Sequence, residues 1–243
     1  GSVDMVSLAS SPLLAYFPEI AVFDMPMVFD STDQAAKGLS AFTESFQPIM
    51  REKNIELLSL GFQQFRGLST NVEIKTPEDI KGMSIRIMEN KYHQLFWQNL
   101  GANPTPMAFS ELYTAMQQGT VDGQENPLAI ILTAKVYEVQ KYITMIDLFY
   151  SPCVLMINED IYNNFTDEQK EAFDKAAEDG KVAERQISQE LASSARATME
   201  AEGVVFTDVN KDEWVAAVQS VYDDASLKID QDLLAKIKAE TAK

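Results

Sequence analysis

The sequence predicts an α/β fold with mainly parallel sheets and helices on their faces. Three observations carry that prediction. Short apolar segments alternate with longer segments of helical period along most of the 243 residues. Two of the helical segments open on capping-box signatures, Ser31 to Gln34 and Thr166 to Gln169, where hydroxyl and glutamine side chains satisfy backbone groups of the first turn. Hydrophobic residues make up 46% of the chain, enough to fill one large core or two medium ones.

In chain order, Val3 to Leu8 and Ile20 to Met27 read as strands joined by loops containing Ser, Pro and Asp. The helix opened by Ser31 runs to about Met50, and Ile55 to Gly61 is a strand. A polar loop with Ser69, Thr70 and Asn71 leads to Thr76-Pro77-Glu78-Asp79, where proline after a threonine cap marks a short helix. Met83 to Met88 alternates, which puts Met83, Ile85 and Ile87 on one face and Arg86 on the other. Tyr92 to Leu100 is helical, Asn103-Pro104-Thr105-Pro106 is an extended turn, and Ser110 caps a helix that stops at Gly119. The segment after Thr166 carries Phe173, Ala176, Ala177, Gly180, Ala183, Ile187, Leu191, Ala195 and Met199 at helical spacing, and Gly203 ends it. A strand from Val204 to Phe206 and two acidic amphipathic helices over Lys211 to Lys243 complete the chain. In such sheets ligands bind at strand ends.

The formal charge of −17, from 37 acidic and 20 basic side chains, repels nucleic acid and anionic membranes at long range. Any anion site must therefore be a local arrangement of cations and backbone donors. Five arginines are available to build one. Arg51, Arg185 and Arg196 sit among polar neighbours on helices and read as solvated, whereas Arg66 and Arg86 sit differently. The single cysteine, Cys153, excludes an intrachain disulfide, and its apolar strand-like surroundings make it a buried inert thiol. The single histidine, His93, is expected to face solvent. A His-rich or Cys-rich metal site cannot be assembled, and neither an H-E-x-x-H helix nor a phosphate-cradling glycine loop is present. No apolar run approaches the roughly 20 residues that span a bilayer. The first residues show neither the basic stretch nor the apolar segment of a secretory signal, so any export address is expected to have been removed or never included. Asn164-Phe165-Thr166 is a formal glycosylation sequon that reads as no more than a helix cap.

The order of residues from Gly101 to Pro127 is more particular: Gly-Ala-Asn-Pro-Thr-Pro-Met-Ala-Phe-Ser-Glu-Leu-Tyr-Thr-Ala-Met-Gln-Gln-Gly-Thr-Val-Asp-Gly-Gln-Glu-Asn-Pro. It resembles the signature of the DctP-type solute-binding subunits of tripartite ATP-independent periplasmic (TRAP) transporters. The likeness extends through Lys81 to Arg86, through Lys135 to Tyr142, and to Gly1-Ser2-Val3-Asp4-Met5 and Pro18-Glu19, so it covers the whole chain. It implies a two-lobed periplasmic-binding-protein fold, type II-like, with a hinge. Residues 1–63 and 152–195 would form lobe I, residues 64–151 and 218–243 lobe II, and residues 167–202 a long helix packing across both. It further implies a periplasmic monomer that is not an enzyme and holds no cofactor or metal. Such a protein captures a small organic acid in the cleft between the lobes and hands it to the membrane subunits of a TRAP transporter. Relatives carry an opening strand and helix before the Gly1 to Met5 stretch, so lobe I is expected to be incomplete at its N-terminus. Many also place a histidine where this chain has Leu148.

Residue by residue, Arg86 matches the family arginine that pairs with the ligand carboxylate. The guanidinium offers two parallel donors at carboxylate spacing and stays charged when desolvated. Asn126 matches an asparagine that hydrogen-bonds the same carboxylate or a neighbouring oxygen, and Arg66 matches a second arginine of the pocket. Phe109 would form an apolar wall, and Glu89 would accept hydrogen bonds from ligand hydroxyls. On the residues alone, Asn126 is equally a turn former before Pro127, Phe109 a core aromatic, and Arg66 and Arg86 structural ion-pair partners. Glu89 and Asn90 beside Arg86 favour a sugar acid such as a uronate or aldonate, with simple dicarboxylates and sialic-acid-like ligands open. Two other classes compete: a ligand-sensing binding domain, and a hydrolase using Asp122 and Glu125 as general acid and base.

Overall fold

The computed structural model describes residues 2–26, 28–29, 31–61, 64–147, 149–223 and 231–241. Along the chain these form β1 (Met5–Ala9), α1 (Thr32–Arg51), β2 (Ile55–Gly61), β3 (Arg66–Thr70), β4 (Ser84–Ile87), α2 (Lys91–Asn99), β5 (Asn103–Pro106), α3 (Phe109–Gln117) and β6 (Gly123–Pro127). There follow α4 (Leu128–Thr133), β7 (Tyr142–Met145), β8 (Cys153–Asn158), α5 (Glu159–Asn163), α6 (Asp167–Ala201), β9 (Val205–Asp208), α7 (Lys211–Asp223) and α8 (Gln231–Thr241). Leu148, where the family resemblance leads one to expect a histidine, lies outside the described residues.

The strands make two sheets. One has the order β1-β8-β2 and the other β5-β4-β6-β3-β7-β9. The chain crosses between them after β2, again after β7 and, through α5 and α6, a third time after β8. In the smaller sheet β8 runs antiparallel to both neighbours, and in the larger one β3 runs antiparallel to β6 and β7. Only the β4–β5, β4–β6 and β7–β9 pairs are parallel. The smaller sheet is therefore antiparallel and the larger one mixed, rather than mainly parallel, because alternation along a strand reveals its buried face and not the direction of its neighbour.

Two local elements differ from expectation for physical reasons. Pro18–Asp24 is a 3-10 turn rather than a strand, with Ile20, Ala21, Val22, Phe23 and Asp24 all buried. A continuous apolar run has no period to distinguish the two. Asn103–Pro106 pairs as an edge strand, the place where prolines cost no interior ladder bond.

The caps at Ser31 and Thr166 act as the sequence indicates, whereas α3 begins at Phe109 with Ala108 rather than Ser110 at its N-cap and no side-chain cap bond. Ser31 accepts from the Gln34 N–H to open α1, and Thr166 and Gln169 form a reciprocal capping box that opens α6. At 35 residues α6 is about 52 Å long. It packs on β2 of the smaller sheet and on α4 and β9 beside the larger one. Its buried residues, Ala177, Ala195 and Met199, fall towards the two ends, while Val182 and Ile187 in the middle are exposed. The helix thus bridges the two sheets.

A continuous apolar core joins α1 and the smaller sheet, through the Pro18–Asp24 turn, to β4 and α2. A second cluster fills the space under α3, α4, β7 and the end of α6. Helix α7 packs on α2, whereas α8 packs on α1 with Leu234 and Ile237 buried. The stretch expected to lie wholly with lobe II is thus divided between the two sides.

Candidate functional site

Strands β4, β6 and β3 lie side by side and carry the polar residues of interest. On β4, Ile85 and Ile87 enter the core, so alternation turns Arg86 to the opposite face. That face is also covered, and Arg86 is only 3% exposed. Its Nε and Nη2 donate to the Met107 carbonyl at 3.0 and 2.7 Å. Among the described residues no carboxylate is paired with it. Burial lowers its pKa to about 10, with Arg66 acting the same way and Glu125 opposing, so it remains cationic at neutral pH.

Arg66, at the start of β3, is differently placed. Its Nε donates to the Glu125 carboxylate, and its Nη2 donates to the Glu125 carbonyl at 2.9 Å and to Asn126 Oδ1 at 3.0 Å. The register puts Arg66 opposite Pro127 and Gly67 opposite Asn126, which brings the start of β3 against the end of β6. Asn126 Nδ2 donates to Gln124 Oε1, Gln124 Nε2 to Ser69 Oγ at 2.7 Å, and Ser69 Oγ to Gln140 Oε1 at 2.5 Å. Gln140 Nε2 closes the chain on the Asp122 carbonyl at 2.9 Å. This buried network fixes the amide of Asn126, which borders the cleft.

Behind Arg66 lies a second buried cluster. His93 is fully buried on α2, contrary to the expectation that it faces solvent. Its Nδ1 is 3.6 Å from Glu125 Oε1, its Nε2 is 3.3 Å from Asp24 Oδ1, and Ser11 Oγ donates to that same Asp24 oxygen. Its ring packs on Phe149 with centroids 4.3 Å apart. Burial opposes the imidazolium, but Asp24 and Glu125 outweigh it and raise the pKa to about 9. Burial likewise pushes the Glu125 carboxyl up, and the Arg66 charge with His93 more than offsets it, leaving it below the usual range. The sequence held a signal for this: His93 shares helical spacing with the buried Phe96 and Trp97.

The five residues anticipated as ligand contacts, Arg66, Arg86, Glu89, Phe109 and Asn126, line one cleft of about 870 Å³. Its other wall comes from the smaller sheet and the turn after it: Ser7, Leu8, Ala9 and Pro12. Phe109 is half-exposed there and so is not a core aromatic, and Glu89 is exposed at the rim. Asp122 and Glu125 do not face each other across this space. Asp122 Oδ2 accepts from the Ser84 N–H beside a separate depression, and Glu125 is engaged by Arg66. Cys153 is half-buried with Sγ 3.1 Å from Ser7 Oγ, and burial pushes its thiol pKa up, away from the nucleophilic form. Among the described residues, no group of three or more His, Cys, Asp or Glu is placed to hold a metal ion, and no helix is long and apolar enough to cross a membrane.

The family model for bacterial extracellular solute-binding proteins, family 7 (DctP), matches residues 1–228. The chain belongs to that family. Family 7 proteins bind solutes for TRAP transport and are not enzymes. A relative described as a solute-binding protein, from Verminephrobacter eiseniae, is 34% identical over 91% of this chain and 67% of its own length. The C4-dicarboxylate-binding periplasmic protein DctP of Rhodobacter capsulatus is 29% identical, over 100% of this chain and 74% of its own. Among solved structures, the TRAP periplasmic solute-binding protein of Polaromonas sp. JS666 bound to D-erythronate superimposes with a TM-score of 0.94. It is 31% identical, and the likeness covers 98% of this chain and 80% of that one. The fold is thus the two-lobed one of family 7, with the cleft between the β1 side and the β3-β6-β4 side.

Proposed function

We propose that this family 7 chain is the periplasmic binding subunit of a TRAP transporter and captures a small carboxylate-bearing solute, a sugar acid such as an aldonate or uronate. The observation that carries this reading is Arg86, a buried cation on the cleft with a carbonyl partner and, among the described residues, no counter-charge. Leaving a buried charge uncompensated is costly, and a ligand carboxylate removes that cost while matching the guanidinium fork. The Asn126 amide supports the same carboxylate, and Glu89 accepts from ligand hydroxyls. The Polaromonas protein, of the same fold, was crystallised with the aldonate D-erythronate.

Capture proceeds by closure of the cleft. The crossings after β2 and after β7 act as the hinge, and α6, which makes the third crossing, tethers both sides. The wall from Ser7 to Pro12 moves towards Arg86 and Phe109, water leaves, and the charge pair strengthens in the drier site. The membrane subunits then recognise the closed shape, which the ligand stabilises by binding it better than the open one.

A thermal-shift screen against uronates, aldonates, small dicarboxylates and sialic acid, with Arg86→Ala in parallel, tests this. An acid at a hundred times its Kd stabilises by about 2.7 kcal/mol. For a chain of this size that is a rise of roughly 5–10 °C. The reading predicts such a rise with a sugar acid and its loss in Arg86→Ala. A rise that persists in the variant, or none with any acid, contradicts it.

A further inference from the structure

Among the described residues, the ionisable side chains lining the cleft are Arg66, Arg86, Glu89 and Glu111. Their charges do not cancel evenly. Arg66 is already neutralised by Glu125, and the next pair inward, His93 with Asp24, is balanced in the same way. Arg86 therefore supplies a single uncompensated positive charge. Glu89 and Glu111 are exposed carboxylates, neither of them ion-paired among the described residues, and Met88, Phe109 and Ile130 line the same cleft.

We propose that the cleft is charge-matched to one carboxylate, so that it accepts singly charged hydroxy acids and rejects dicarboxylates, including the doubly oxidised sugar acids. This rests on the reading that Arg86 takes the ligand carboxylate. An acid anchored there extends its tail towards an apolar wall and two carboxylates. Hydroxyl groups donate to Glu89 and Glu111 without charge conflict. A second carboxylate finds no cation of its own, loses water against Phe109 and Ile130, and faces like charge. The overall charge of −17 adds to that penalty. Family membership does not decide the point, because the Rhodobacter relative is named for C4-dicarboxylates.

Matched pairs that differ only at the terminal carbon isolate the effect: D-gluconate against D-glucarate, D-galactonate against galactarate, and D-erythronate against meso-tartrate. Titration calorimetry on the whole chain at neutral pH, repeated with Arg86→Ala and with the Glu89→Gln/Glu111→Gln double variant, reads it directly. Like-charge conflict predicts that the diacid of the pair that binds is weaker on the order of a hundredfold. The double variant should shrink that ratio by about tenfold or more. A diacid that binds as tightly as its monoacid, with Arg86→Ala abolishing both, overturns the single-charge proposal and leaves the Arg86 reading standing. A preference unchanged in the double variant overturns the role of the two glutamates. Binding unaffected by Arg86→Ala defeats the underlying reading and the proposal with it, whereas no binding by any of the six acids overturns the proposal alone, the uronates of the thermal-shift screen then deciding the underlying reading.

Discussion

Arg86 donates twice to the Met107 carbonyl, Nε at 3.0 Å and Nη2 at 2.7 Å, and is ion-paired to no carboxylate among the described residues. A carbonyl dipole orients the guanidinium but does not cancel its charge. Its neighbour Arg66 has the opposite arrangement, with Glu125 as a full counter-ion. Arg66 thus has a full counter-ion and Arg86 has none among the described residues, which leaves the place that the proposed ligand carboxylate would take.

Replacing Arg86 should therefore separate stability from binding. Arg86→Met removes an uncompensated buried cation at similar volume, so the ligand-free protein should unfold at an equal or higher urea concentration. Its affinity for the acid should fall by about 2–5 kcal/mol. Arg86→Lys keeps the charge without the fork and should lie between the two in calorimetry.

Glu125→Gln should be among the most damaging single changes. It leaves Arg66, and a His93 flanked by one carboxylate instead of two, without their shared counter-ion. Breaking a buried pair in this way costs roughly 3–5 kcal/mol. Urea denaturation monitored by tryptophan fluorescence measures the loss.

The His93 cluster makes stability depend on pH in a defined window. With its folded pKa raised from the ordinary 6.5 to about 9, His93 contributes stability that is fully present below about pH 6.5 and lost as pH rises through about 9. Glu125, held below its ordinary 4.5, contributes stability present above that value and lost as pH falls through its lower folded value. The denaturation midpoint of the wild type should decline between pH 7 and 9.5. In His93→Gln, which keeps polar contacts but does not titrate, that slope should flatten.

Gly123 begins β6, the strand that carries Glu125 and Asn126. A Cβ there would lie 2.8 Å from the Ser69 carbonyl oxygen and from Thr70 Cγ2, and 3.1 Å from Ile85 Cδ1. The backbone oxygen cannot yield without moving β3. Gly123→Ala should destabilise by about 1–3 kcal/mol and weaken acid binding as well, because it displaces the strand that positions both polar residues. Thermal melts and calorimetry on the same preparation read the two effects.

What the sequence reveals, and what it conceals, follows from the range of each signal. Caps and helical spacing are local, so α1 and α6 are legible in the residues themselves, down to Ser31 and the Thr166–Gln169 box. Strand direction depends on partners far away in the chain, and the antiparallel placement of β8 between β1 and β2 leaves no local trace. The gathering of Arg66, Arg86, Glu89, Phe109 and Asn126 from four elements and a loop into one cleft is likewise non-local, and only the family resemblance anticipated it. His93 was misread because Lys91 and Gln94 suggested a solvated turn. Its partners Asp24 and Glu125 arrive from 69 and 32 positions away in the sequence. Asp24 itself sits in an apolar run that gave no hint of a buried carboxylate.

The most direct test of the central claim is a crystal structure of the chain with the acid that gives the largest thermal shift. The account predicts a closed cleft, with the ligand carboxylate about 3 Å from the Arg86 guanidinium and the Asn126 amide. A carboxylate seated elsewhere, with Arg86 still bonded to the Met107 carbonyl alone, would contradict it.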